Sequence, residues 1–132
     1  MRSTFGRSGA ILVAGALTVL LTGCASAEQP EVQRVATRFE DSSGEARARC
    51  DLLAPRTLEK LEEQLAEPCV EGIGDLPLEG GDVGQVEVWG GNAQVQLGGD
   101  TVFLTRTATG WRVTAAACTP QAVGPYDCEV ES

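Results

Sequence analysis

The chain predicts an α+β fold: two or three N-terminal helices packed on a curved four-stranded antiparallel meander, with two disulfides. Three observations carry this. Apolar residues repeat with a helical period up to Leu65 and with a period of two from Val83 onward. Gly-rich turn signals separate the strand-like runs, and four cysteines, an even number, lie in the part of the chain that shows these patterns. Helices first and strands later place the helices over one face of the sheet.

The first helix is read from Val32, Val35, Ala36 and Phe39, which fall at i, i+3, i+4 and i+7, with Arg34, Arg38, Glu40 and Asp41 turned elsewhere. It ends near Ser43-Gly44. Ser42 stands three residues before Glu45, the spacing of a capping box, so a second helix is expected with Ala46, Cys50 and Leu53 on one face. Pro55 breaks it. Thr57 then caps a third helix that turns Leu58, Leu61 and Leu65 inward and Glu59, Glu62 and Glu63 outward, until Pro68 stops it. Residues 70–82, rich in Gly, Pro, Asp and Glu, are expected to cross irregularly to the strand half.

Four strands follow. Val86 and Val88 alternate with Gln85 and Glu87, and after Gly90-Gly91-Asn92 the residues Ala93, Val95 and Leu97 alternate with Gln94 and Gln96. Gly98-Gly99-Asp100 turns into a strand over 101–107, and Ala108-Thr109-Gly110 turns into the last one. That strand, over 111–118, is expected to carry Trp111, Val113, Ala115 and Ala117 on one face.

Upstream of the helices, Arg2 and Arg7 precede an apolar run of 12 residues from Ala10 to Leu21, which closes on Leu21-Thr22-Gly23-Cys24. A membrane-spanning helix needs about 18 apolar residues or more, so the run reads as a signal peptide. Its ending resembles the lipobox of bacterial lipoproteins, in which the cysteine thiol receives a diacylglyceryl group and becomes the new N-terminus. The resemblance implies lipidation of Cys24 by diacylglyceryl and palmitate-like chains, and a place on the outer face of the cell membrane. Residues 1–23 are then the signal peptide, 24–30 a lipidated tether and 31–132 a single domain. Ordinary cleavage near Ala25-Ser26-Ala27, which would free a soluble secreted protein, is the alternative.

Excision of residues 1–23, which carry Arg2, Arg7 and no acidic residue, leaves 109 residues and takes the formal charge from −9 to −11. With no concentrated basic stretch, nucleic acid is not an expected partner. An acidic surface also repels anionic headgroups, so the lipid alone is expected to make the membrane contact. In the oxidising space outside the membrane, Cys50, Cys69, Cys118 and Cys128 are expected to form two disulfides. Of the three pairings that four cysteines allow, sequence neighbours are favoured, because each such pair flanks one structural unit. There is no Cys-x-x-Cys, and the spacings do not match a zinc ribbon, so a metal or redox role is not expected.

The helices followed by a meander ending in Thr109-Gly110-Trp111-Arg112-Val113 resemble the cone-shaped fold of the nuclear-transport-factor-two-like superfamily, also described as cystatin-like. They also resemble small exported lipoproteins of actinobacteria. The tail from Cys118-Thr119-Pro120 to Pro125-Tyr126-Asp127-Cys128 is similar to theirs. The resemblance covers most of residues 30–130. It implies a ligand pocket between helices and sheet, as in members that are isomerases, dehydratases or binding modules. No catalytic residue of those enzymes maps onto a position here, and fold does not transfer activity.

The chain has no histidine, which excludes Ser-His and Cys-His nucleophilic machinery and histidine metal sites. A carboxylate pair could still exchange protons if burial separated their pKa values. The strand candidates read as solvated, Glu87 because it alternates with inward valines and Asp100 because it lies in a turn. Gly80-Gly81, Gly90-Gly91 and Gly98-Gly99 lack the following helix and lysine of a phosphate loop and read as hairpin turns. Of Trp89, Phe103, Trp111 and Tyr126, the small core needs most. Trp89 is the exception, since it shares a face with Gln85 and Glu87; Trp89 and Glu87 are therefore the candidate binding surface.

Two function classes stand. One is a noncatalytic envelope binding module, without cofactor, whose partner is an envelope protein or a small apolar ligand. The other is a carboxylate-dependent isomerase- or dehydratase-like enzyme.

Overall fold

The computed structural model describes residues 24–132; the segment read as a signal peptide lies outside them. Helix α1 spans Cys24–Glu40. The row Val32, Val35, Ala36 and Phe39 is at most 2% exposed, as its spacing requires. The helix begins earlier than expected, and residues 24–30, read as a tether, belong to it with Pro30 in its interior. Tertiary contacts explain this. The Gln29 side-chain amide donates to the Val86 carbonyl at 3.1 Å, and Glu28 pairs with Arg106, so the first turns rest on the sheet despite the backbone donor that Pro30 lacks.

Short helices follow: α2 (Ala46–Cys50), α3 (Pro55–Leu65) and α4 (Cys69–Gly72), the last running into a 3-10 turn at Ile73–Asp75. The expected caps do not form. The N-cap of α2 is Glu45, without a side-chain cap, in place of Ser42, and the turn ahead of it is held instead by the Ser43 amide and hydroxyl donating to Asp41. Pro55 is the first residue of α3, where a missing N–H does no harm, and Thr57 lies buried inside that helix with its hydroxyl towards the Thr114 carbonyl. Leu61 is buried, and Leu58 and Leu65 pack beside it. The chain leaves α3 through Ala66 in the left-handed conformation, and Pro68 precedes α4.

The sheet has five antiparallel strands in sequential order: β1 (Val83–Trp89), β2 (Asn92–Leu97), β3 (Thr101–Thr107), β4 (Gly110–Thr119) and β5 (Asp127–Glu131). The expected count of four is corrected by β5. It pairs Cys128 with Cys118 and places Val130, its one fully buried side chain, opposite Ala116. One inward residue in a five-residue edge strand is too few for alternation to register.

A second correction concerns β4. Leu104 pairs with Val113 but Phe103 with Ala115, so Thr114 is an extra residue on the β4 side. A bulge of this kind shifts the phase by one. Trp111 and Val113 point inward as expected, but Ala116 and Cys118 are the buried residues beyond the bulge, in place of Ala115 and Ala117.

Helix α1 lies antiparallel to β1: Gln29 meets Val86, and Glu40 meets Gly80 just ahead of the strand. Beyond the reach of β5, residues 52–54 take up the edge of β4, with Val113 N–H donating to the Leu52 carbonyl and Ala54 N–H to the Val113 carbonyl. The core between the layers contains Phe39, Leu61, Ile73, Leu104 and Trp111, all at most 2% exposed. The disulfides join Cys50 to Cys69, tying α2 to α4, and Cys118 to Cys128, across β4 and β5.

Candidate functional site

The two hairpin turns at Gly90-Gly91 and Ala108-Thr109 lie at the pole where α1 starts, while Glu40 at the end of α1 and the turn before β3 lie at the other. At this second pole two carboxyls meet inside the protein. Glu40 is 4% exposed and Asp100 is 7% exposed. Both differ from expectation, which had Glu40 turned off the apolar face and Asp100 solvated in a turn.

Asp100 is held by three backbone donors. Its Oδ1 accepts from Thr101 N–H at 2.6 Å and Cys118 N–H at 2.7 Å, and its Oδ2 from Ala117 N–H at 2.6 Å. Ala117 has a φ of 53°, in the left-handed region, and the successive N–H groups of Ala117 and Cys118 turn towards one carboxylate. The bulge at Thr114 sets the phase of this stretch, so the anion nest was not legible in the strand pattern.

Glu40 approaches from the helix. Its Oε2 accepts from Gly80 N–H at 3.1 Å, its buried Oε1 has no hydrogen-bond partner of its own, and the Asp100 carboxyl neighbours the group. Gly80 has a φ of 54°, and a Cβ there would stand 3.3 Å from that of Glu40. Gly80-Gly81 is therefore no hairpin turn. It is a close backbone crossing, fastened to the Gly98-Gly99 turn by Gly99 N–H donating to the Gly80 carbonyl at 2.7 Å.

Burial, followed by the hydrogen bond and the charge of Asp100, pushes the Glu40 carboxyl up from its ordinary 4.5 to about 8; the Gly80 N–H and the Arg49 guanidinium pull the other way. Arg49 is itself buried, and its Nε donates to the Phe39 carbonyl at 2.8 Å. At neutral pH Glu40 is thus a neutral acid and donates its proton towards the Asp100 carboxylate. Nearby Asp41 is held below its ordinary range by the hydroxyl and amide of Ser43.

Two polar clefts flank the pair. One of about 420 Å³ has Glu40, Asp41, Glu79 and Arg38 in its walls; the other, of about 270 Å³, has Asp100, Glu79, Asp127 and Glu129. Chemically, a neutral carboxylic acid beside a carboxylate can donate and recover a proton. Between the helices and the sheet, Phe39, Leu61, Ile73, Leu104 and Trp111 are at most 2% exposed.

The binding-surface candidates lie elsewhere. Trp89 is 49% exposed at the end of β1, and Glu87 is exposed two residues before it, accepting from the Gln85 amide at 2.7 Å. On the same helix-free face, Gln94 pairs with Phe103 and Phe103 with Ala115. The Phe103 ring meets Tyr126 edge to face at 5.2 Å, while Phe39 and Trp111 are core. Cys24 is the first residue of α1, and all four remaining cysteines are in the expected disulfides.

Among the described residues, no three Cys, Asp or Glu side chains are arranged to hold a metal, and no helix is long and apolar enough to cross a membrane. Comparison with protein-family models, curated proteins and solved structures gives no match.

Proposed function

We propose that the protein is a lipid-anchored module of the bacterial cell envelope, standing on the outer face of the membrane, which binds a protein partner on its surface and performs no catalysis. The observation that carries the binding reading is the filled interior. Phe39, Leu61, Ile73, Leu104 and Trp111 occupy the place where a cone-shaped enzyme would hold substrate. Recognition is left to the surface, where the helix-free face offers Phe103 and Tyr126 among the amides of Gln94 and Gln96. A ring pair in a polar surround suits a protein partner better than a small apolar ligand.

The anchor rests on Leu21-Thr22-Gly23-Cys24 after the short apolar run. One acyl chain holds marginally, whereas the two or three chains of a lipoprotein hold firmly. The order of helix and meander supports membership of the nuclear-transport-factor-two-like superfamily, with β5 added at the edge. Under this reading no cofactor or nucleic acid takes part.

The carboxyl pair favours one other reading, a carboxylate-dependent enzyme, because a neutral acid near pH 7 stands beside a cleft. Against it, every oxygen of Asp100 is occupied by backbone donors and Glu40 is 4% exposed, so the pair acts as a clasp between α1, the Gly80 crossing and β4.

Crosslinking in intact cells tests the proposal. The wild type and Glu40→Gln should give the same discrete crosslinked species, and Phe103→Arg should lose it. No crosslinked protein with the wild type, or loss on Glu40→Gln alone, contradicts the binding reading.

A further inference from the structure

We infer that the pole carrying the start of α1 rests on the bilayer, with the Trp89 ring in the headgroup region and the sheet standing upright above it. This deepens the proposed function and rests on its lipid anchor. It also takes Trp89 out of the partner surface, which keeps Phe103 and Tyr126.

The placement follows from how α1 and β1 run. Gln29 is bonded to Val86, and the two elements diverge from that level in opposite chain directions. Five residues of helix back to Cys24 rise about 7.5 Å, and three residues of strand on to Trp89 rise about 10 Å. The ring therefore stands at or just beyond the level of the first residue of α1. Because Cys24 already belongs to the helix, no loose linker lifts the domain away. The Glu28–Arg106 pair, and Arg106 N–H donating to the Gly91 carbonyl, fix the hairpin that carries Trp89 to α1.

The ring's own setting agrees. Trp89 is about half exposed beside a turn of Gly90 and Gly91. Tryptophan is the residue type enriched where water meets lipid, since its ring is apolar and its N–H polar.

Charge is arranged the same way. Near the Trp89 pole, Glu28 pairs with Arg106 and Glu31 with Arg34. The carboxylates of the two clefts gather at the far pole, some 20 Å away by the length of β1. That is roughly two Debye lengths at physiological salt, so these carboxylates do not oppose the contact.

The test uses the full lipidated protein in phosphatidylcholine vesicles whose acyl chains are brominated near the headgroup, with and without added phosphatidylglycerol. Trp111, 2% exposed in the core, is the built-in control. The expected result is a blue shift and loss of the Trp89 share of the emission in both lipid mixtures, while Trp89→Phe, equally anchored, keeps its Trp111 emission. Protein that floats with the vesicles while Trp89 stays open to aqueous iodide and untouched by bromine overturns the orientation alone. Loss of flotation overturns the anchor, and the orientation with it.

Discussion

A carboxyl whose pKa is higher in the folded chain than in the unfolded one makes the folded chain the better proton binder between the two values. Stability then falls as pH rises through that window. For Glu40 the window runs from 4.5 to about 8. Its contribution is intact below pH 4.5, is lost progressively up to about pH 8, and changes little above that. The shift corresponds to on the order of a few kcal/mol. Glu40→Gln keeps an acceptor for Gly80 N–H and a donor for Asp100 but cannot ionise. Thermal melts of the variant should therefore match the wild type near pH 4.5, exceed it near pH 8, and show a flatter profile between; an unchanged slope would refute the shared proton. Asp100→Ala leaves three backbone donors without their acceptor and should cost roughly 3 kcal/mol or more in denaturant unfolding. Trp89→Ala, at a half-exposed site, should change stability by less than about 1 kcal/mol. Glu40 had a signal in the sequence after all, because it continues the Val32–Ala36 row at a spacing of four. Asp100 had none, since an aspartate after two glycines looks like any turn residue until its distant partners are known.

At the scale of elements, the disulfides set the clearest expectations. The Cys50–Cys69 bridge closes a separation of 19 residues and Cys118–Cys128 one of 10. In the chain-entropy account the former is worth about 3 kcal/mol and the latter about half a kcal/mol less. Paired alanine substitutions, each bridge removed in turn and followed by chemical denaturation, should rank them in that order; the reverse order would show that strand pairing, not loop closure, dominates. The α1 row, the turns at Gly90-Gly91 and Ala108-Thr109, and the cysteine pairing were readable because each depends on residues close in sequence. The bulge on β4 was not, because Ala115, Ala116 and Ala117 are alike in size and leave no contrast to mark the phase. The helical start at Cys24 was hidden for a different reason. Pro30 suggests a boundary, and the contacts that overrule it come from strands more than fifty residues away.

At the scale of the molecule, a filled core separates two unlike poles. One carries the start of α1, Trp89 and two ion pairs; the other carries a buried acid pair between two polar clefts. The layer order of this arrangement is legible in the change of period from helix to strand. The polarity is not, because net charge sums over residues that the fold sends to opposite ends. A chamber between helices and sheet was the expectation carried by resemblance, and the large side chains meeting there fill it. Anchoring and orientation both depend on the lipid at Cys24, and the mass spectrum of the N-terminal peptide of the mature protein tests that most directly. The expected peptide begins at Cys24 and carries a diacylglyceryl group, absent from Cys24→Ala. A mature chain that begins after Ala27, or an unmodified Cys24, would contradict it.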